Sequence, residues 1–434
     1  MNKTRLKPLM PLVANEQGEI FELEEFGAAA MAGSRKVLLT GEETVEMPHG
    51  SELMMLPNQR PVVFDFDTGG FVILDRNPYA DNERIFPVAV FNSPGFVNRY
   101  FAAYETRDEQ LLPLFSYGAA AWGDGGFRSA AICVDRERRQ DLRLMPRNGI
   151  VAGIDRMGKA YPHNRLMRHI EKCALEYGCP AAKNFFLGRY EAPLPTARSC
   201  NANCLGCISF QTENSLVACQ ERIDFTPTSR EISQLALEHI SKVDRSVVSF
   251  GQGCEGDPLT AFDVIEPAVR AVRQKTDAGT INMNTNAGIP DRIEALFDAG
   301  LDAVRVSMNS VRKECYTAYF RPRSYDFKDV IQSIETAGKK KKFVSINYLN
   351  VPGFTDSEAE FEALTEFLDR YPVGMIQWRN LNFDPLAYCR LMEQWGNPGE
   401  PLGMARIIKE LGKRFPRLIH GYFNPPKERY ACPE

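Results

Sequence analysis

Ser246-Val247-Val248-Ser249-Phe250 runs into Gly251-Gln252-Gly253-Cys254-Glu255-Gly256-Asp257-Pro258-Leu259. The first five residues are a short apolar strand candidate. The Gly-, Asp- and Pro-rich stretch after them is a turn, and residues 261–274 predict a helix. The same unit recurs on both sides. A helix is predicted over 228–242, then strand 280–285, helix 291–299, strand 303–308, helix 327–337, strand 343–349, helix 357–371 and strand 374–381. Helices alternating with short apolar strands specify βαβ units and a parallel sheet. With a strand leading into position 200, about six strands are expected. The fold class is therefore α/β, a partial (β/α)6 TIM-like barrel over residues 191–390. In such folds ligands sit at the carboxyl ends of the strands.

Residues 1–190 have another texture, rich in Gly, Pro and aromatic residues and without a helix–strand rhythm. Strands are expected at 37–39, 62–66, 71–74 and 130–134. Helices are expected at 93–104, opened by Ser93-Pro94 as N-cap and N1, and at 164–177. This half reads as an N-terminal α+β accessory domain. Residues 391–434 read as a C-terminal extension packing on the barrel.

Just before the first repeated unit stands Arg198-Ser199-Cys200-Asn201-Ala202-Asn203-Cys204-Leu205-Gly206-Cys207. Three thiolates at C-x3-C-x2-C spacing can hold three irons of a cubane cluster and leave the fourth iron open. Buried thiols are one alternative, although the segment reads as a loop. A structural zinc is another, but zinc takes four ligands, usually as two C-x2-C pairs, and the spacing to Cys219 does not match.

The strand ends add more. Polar residues alternate along strand 303–308, placing Arg305, Ser307 and Asn309 on one face and Val304, Val306 and Met308 on the other. A polar face on a parallel strand buried on both sides calls for a polar ligand in the lumen. Asn347, Gln377 and Arg379 repeat the pattern on the next two strands.

Taken together, these motifs resemble those of radical S-adenosylmethionine (SAM) enzymes. The layout is nearest to the branch containing molybdenum-cofactor-synthesis and peptide-maturase enzymes, here with an N-terminal accessory domain and no C-terminal multi-cysteine extension. The resemblance spans roughly residues 195–385. It implies that Cys200, Cys204 and Cys207 hold a [4Fe-4S] cluster. Gly256-Asp257-Pro258 is similar to the family's Gly-Glu-Pro turn, so Gly256 and either Asp257 or Glu255 would serve the SAM amino group. Asn286, Arg305, Ser307, Asn309, Asn347 and Gln377 would serve the SAM carboxylate, ribose, adenine or the substrate. At Gly206, before the third cysteine, the family often has an aromatic residue. The implied chemistry is reductive cleavage of S-adenosyl-L-methionine to a 5′-deoxyadenosyl radical that takes hydrogen from a substrate, small molecule or peptide. An electron donor such as ferredoxin or flavodoxin is the implied partner. An iron–sulfur electron carrier or sensor keeps the cluster without SAM cleavage.

The chain has 434 residues, 44% hydrophobic and 25% charged, with a net charge of -4. The lone basic run, Lys339–Lys342, does not argue for nucleic acid. No signal-like leader and no run of about 20 apolar residues is present, so a cytoplasmic protein without a membrane partner is expected. In a reducing compartment its 11 cysteines are thiols or metal ligands rather than disulfides. Cys173 and Cys179, with His163 and His169 nearby, are candidates for an auxiliary metal site. Cys254 is either an active-site thiol or a small buried residue.

Overall fold

The computed structural model describes residues 8–80, 82–107, 110–212, 216–396 and 399–430; Cys432 lies outside them. Two sheets organise the chain. The first is antiparallel, with 13 strands lying between Met10 and Ser129, and a two-stranded ribbon pairs Phe96–Asn98 with Ala131–Cys133. The second is a seven-stranded parallel sheet curled into a half-barrel.

The barrel strands are, in order, Glu191–Pro193, Val247–Phe250, Thr280–Thr285, Ala303–Met308, Phe343–Asn350, Met375–Asn380 and Ile419–Gly421. Each pairs in parallel with the next. The sheet thus carries one strand more than the repeating pattern predicts. That strand is three residues long, too short to stand out in a sequence, and lies within the span read as an extension. It pairs Met375 with Ile419 and stands last in the sheet, as an edge.

Alternation on these strands decides what faces where. Val304, Val306, Met308, Ile346, Tyr348, Ile376 and Trp378 are all essentially buried and join one hydrophobic core with the surrounding helices. The opposite face carries Ser307, Asn347 and Gln377 in one register row and Asn284, Arg305 and Ser345 in another. Because opposed residues of parallel strands share a face, these rows line the concave side.

Local signals account for the helices. Thr228 and Glu231 form a capping box at the start of Ser229–Lys242, and Asp326 and Asp329 form another before Phe327–Lys339. Gly300, in the left-handed region at φ 113°, ends Pro290–Ala299. Among the described residues five helices, Arg147–Ala160, Pro180–Leu187, Lys313–Phe320, Pro385–Glu393 and Met404–Arg414, are additional to those expected.

The N-terminal half holds one correction. Residues 93–104 do not form a helix but two short strands, Phe96–Asn98 and Phe101–Ala102. Gly95 sits at φ 95° and Phe96 N–H closes a turn on the Ser93 carbonyl (3.1 Å), so the backbone leaves helical space within its first turn. The helix expected near 164–177 is present as Arg165–Leu175, capped by Asn164.

The two halves meet at the carboxyl ends of the fifth and sixth barrel strands. Asn380 Oδ1 accepts from Asn98 N (2.8 Å) and from Asn350 Nδ2 (3.1 Å), and Asn350 Nδ2 also donates to Asn98 O (2.8 Å). Tyr104 Oη donates to Asp384 Oδ1 (3.1 Å), and Leu112 N to Asp384 Oδ2 (3.2 Å).

His239 is buried under the first barrel strand, its Nε2 at 3.1 Å from the Tyr190 carbonyl. Burial holds its pKa down at about 4, against 6.5 unperturbed. The unfolded chain therefore binds a proton below pH 6.5 that the folded chain refuses until about pH 4, so stability falls as pH drops through that window. Urea midpoints of wild type and His239→Gln between pH 7 and pH 4 should show a shallower decline in the variant, by up to about 3 kcal/mol across the window.

Candidate functional site

The cysteine loop lies across the carboxyl end of the barrel and is tied to two elements. On one side it pairs with the end of helix Lys313–Phe320: Asn203 N–H donates to Phe320 O (3.0 Å), Leu205 N–H to Tyr319 O (3.1 Å) and Arg323 N–H to Asn201 O (2.9 Å). On the other it rests on the turn after the second strand. Gly256 N–H donates to Ala197 O at 2.7 Å. A β-carbon at Gly256 would stand 1.9 Å from the Ser199 carbonyl oxygen. Glycine is needed there because the backbone just before Cys200 occupies the space of any side chain.

Glu255 explains how the turn holds its shape. It is buried, and its two oxygens accept four backbone N–H groups: Thr196 (2.7 Å) and Ala197 (2.9 Å) on Oε2, Gly251 (2.7 Å) and Gln252 (2.7 Å) on Oε1. One carboxylate thus joins the segment entering the cysteine loop to the turn after the second strand. Burial pushes its carboxyl up to about 7, against the pull of those donors. The expectation that Glu255 is an alternative acceptor for an ammonium group meets a correction, since both its oxygens are taken.

Asp257 is similarly engaged. Its carboxylate accepts from Thr285 Oγ1 (2.9 and 3.0 Å), Asn286 N (2.7 Å) and Leu259 N (3.0 Å), and burial raises it to about 6. It fastens the turn to the end of the third strand. Asn286 carries the connection onward: its Nδ2 donates to Asn201 Oδ1 (2.6 Å), inside the cysteine loop. Gly256, Asp257, Asn286 and the loop of Cys200, Cys204 and Cys207 are therefore one hydrogen-bonded assembly.

Cys200 and Cys204 are held in their neutral form by the fold. Burial raises Cys200 to about 11 and Cys204 further, with the neighbouring sulfurs and Asp257 adding to the effect. A bound cation removes this penalty, since metal coordination deprotonates thiols. Arg222 Nη2 stands 3.5 Å from Cys207 Sγ and supplies a positive charge. Such a donor set, three sulfurs on one loop beside a guanidinium, fits an anionic iron–sulfur centre.

At Gly206 the space of a side chain is filled from elsewhere: a β-carbon would meet Tyr319 Oη at 2.6 Å. Tyr319 is buried, and the charges of Cys204 and Cys207 bear on it. An aromatic ring thus does stand beside the third cysteine, delivered by helix Lys313–Phe320.

The concave face below is polar and interconnected. Arg305 Nη1 donates to Gln377 Oε1 (2.9 Å), Arg379 Nε to Asn347 Oδ1 (3.1 Å), and Gln377 Nε2 to Asn424 Oδ1 (3.0 Å). Asn424 Nδ2 reaches Glu191 Oε1 (2.8 Å). The Arg379 guanidinium lies 3.6 Å from the centre of the Tyr422 ring. Burial and the neighbouring Arg379 charge lower Arg305 to about 9, and its Nε has no partner. Ser307 is half-buried in register with Asn347.

Asn309 departs from the expected face. It lies past the end of its strand and is fully buried, with Nδ2 donating to Cys315 O and Tyr388 Oη (both 3.0 Å). It packs two helices rather than lining the lumen, because the alternation that placed it stops at Met308. Glu191, Asn424, Tyr422, Tyr319 and Arg222 escaped the sequence reading. They come from short or irregular segments with no periodicity to mark them. Of the expected auxiliary set, His163 is exposed and Cys179 is the N-cap residue of the next helix, Pro180–Leu187, whereas Cys173 and His169 lie together against Cys254.

Residues 194–367 match the model of the radical SAM superfamily. This chain carries a radical SAM domain. Among curated relatives, it is 24% identical over 205 residues to a GTP 3′,8-cyclase of Limosilactobacillus fermentum, covering 45% of this chain and 54% of that protein. It is 25% identical over 229 residues to a GTP 3′,8-cyclase of Chlorobaculum tepidum, covering 51% and 60%. The chain thus spans about half the length of the curated relatives it matches. Among solved structures, a radical SAM methyltransferase from Sphaerobacter thermophilus aligns with 15% identity and a TM-score of 0.38, covering 56% of this chain and 69% of that one. No helix among the described residues is long and apolar enough to cross a membrane.

The contact of Gly256 with Ser199 yields a direct test. Gly256→Ala should separate the turn from the cysteine loop at a cost of about 1–3 kcal/mol. After anaerobic reconstitution, iron per chain should fall well below wild type while far-UV circular dichroism is retained.

Proposed function

We propose that the chain is an enzyme whose Cys200, Cys204 and Cys207 hold a [4Fe-4S] cluster and that it cleaves S-adenosyl-L-methionine reductively, using the resulting 5′-deoxyadenosyl radical to abstract hydrogen from a substrate. One observation carries this reading. Three motifs far apart in sequence meet at one end of the half-barrel, joined through the contact of Gly256 with Ser199 and the Asn286–Asn201 hydrogen bond.

The cluster supplies one electron to the sulfonium when it is bound and reduced. The rest falls to the protein. Both carboxylates of the turn are engaged by protein donors, so an ammonium group is left to backbone carbonyls of residues 251–257, in a region of negative charge. Arg305 and Arg379 face the concave side with one buried acid, Glu191, near them. An excess of guanidinium there suits an anionic group, the SAM carboxylate or a carboxylate or phosphate of the substrate. The curated relatives are GTP 3′,8-cyclases; for this chain the proposed substrate class is a small molecule or peptide bearing such a group. A low-potential one-electron donor of the ferredoxin or flavodoxin kind completes the system.

Anaerobic reconstitution with iron and sulfide, followed by dithionite and SAM, should release methionine and 5′-deoxyadenosine. Cys204→Ala should lose the cluster absorbance and bring 5′-deoxyadenosine down to background. An intact wild-type cluster that releases no 5′-deoxyadenosine overturns the proposal.

A further inference from the structure

Behind the SAM turn, away from the cysteine loop, a second set of donors converges. His169 and Cys173 lie one turn apart on helix Arg165–Leu175, at the i,i+4 spacing that puts two side chains on one face. Opposite them stands Cys254, from the turn after the second barrel strand. A ring nitrogen of His169 and the sulfurs of Cys173 and Cys254 all lie within 4.8 Å of one another. Cys173 and Cys254 are buried, and the Nε2 of His169 is buried without a hydrogen-bond partner.

The Cys173 thiol makes weak hydrogen bonds with Cys254 and His169, yet the Nε2 of His169 stays buried without a partner. A buried ring nitrogen without a partner is costly, and two thiols facing each other satisfy little. A divalent cation would settle both. Two thiolates and a neutral imidazole around a doubly charged ion sum to zero, so the assembly can stay in a low-dielectric interior without an uncompensated charge. A sulfur-and-imidazole set of this kind suits zinc, which takes tetrahedral Cys and His ligands. The fourth position is open to water or to Cys179, whose backbone N–H already donates to the Cys173 carbonyl (3.0 Å).

We propose that His169, Cys173 and Cys254 form a structural binding site for one zinc ion, separate from the cysteine loop. The ion fastens a helix of the N-terminal half to the turn that carries Glu255, Gly256 and Asp257. Cys254 immediately precedes Glu255, so the ion holds that turn from behind while the cysteine loop presses on its other side.

The test removes the competing thiols first. A variant with Cys200, Cys204 and Cys207 all replaced by alanine, stripped of metal and kept anaerobic and reduced, is titrated with Co2+. One equivalent should bind with a thiolate-to-cobalt charge-transfer band and tetrahedral ligand-field bands, and Zn2+ should displace it. Adding Cys173→Ser should remove the charge-transfer band. No band in the triple variant, or a band indifferent to Cys173→Ser, overturns the proposal. An independent measurement covers the case in which the triple variant does not fold. Wild type and Cys204→Ala grown with zinc should each retain about one zinc per chain. Absence of zinc from both, or a Cys173–Cys254 disulfide found by mass spectrometry after anaerobic alkylation, overturns the proposal equally.

Discussion

The site depends on one steric fact: the backbone of the turn at Gly256 passes directly against the backbone at Ser199. The contacts between that turn, the third strand and the cysteine loop are built around that approach. Glu255 makes it possible by gathering N–H groups from both segments onto one carboxylate. Asp257 then fixes the turn to the third strand, and Asn286 returns the connection to the cysteine loop through Asn201. Three irregular segments thereby hold positions that loops alone would not. Preorganisation of this kind fixes the loop that carries the three cysteines.

Much of the half-barrel was legible in the sequence because its strands obey a simple rule. The concave face carries Arg305, Ser307, Asn347 and Gln377, and the convex face carries Val304, Val306, Ile346 and Trp378; a period of two announces such a division. Strands Thr280–Thr285 and Ala303–Met308 lie where alternation places them. The rule fails where a strand ends, as at Asn309, or is too short to repeat, as at Ile419–Gly421. It fails also where long-range contacts override local preference. Ser93-Pro94 looks like a helix start, yet the left-handed Gly95 turns the chain into a ribbon. In the antiparallel sheet, Ala28–Ala32 and Ala119–Ala121 are runs of good helix formers that become strands, because neighbouring strands need small side chains to pack.

The candidate site was legible in kind more than in detail. Cysteine spacing and the Gly-Asp-Pro turn pointed to the right place. They did not reveal that both acids of the turn face inward to backbone donors, nor that the ring beside Gly206 comes from Tyr319. A side chain's partners are set by tertiary approach, and 113 residues separate Gly206 from Tyr319 along the chain. The i,i+4 pair of His169 and Cys173 was visible in the sequence, but its third member lies on another element.

One part of the seam between the two halves is made of neutral amides. Asn98, Asn350 and Asn380 exchange hydrogen bonds at the ends of the fifth and sixth barrel strands. Amide contacts have strict direction and spacing but little long-range field, so salt barely weakens them. The ribbon strand Phe96–Asn98 is thus seated on the ends of the fifth and sixth barrel strands by contacts that ionic strength hardly touches. A movement of that strand across the barrel mouth would have to break several such bonds at once.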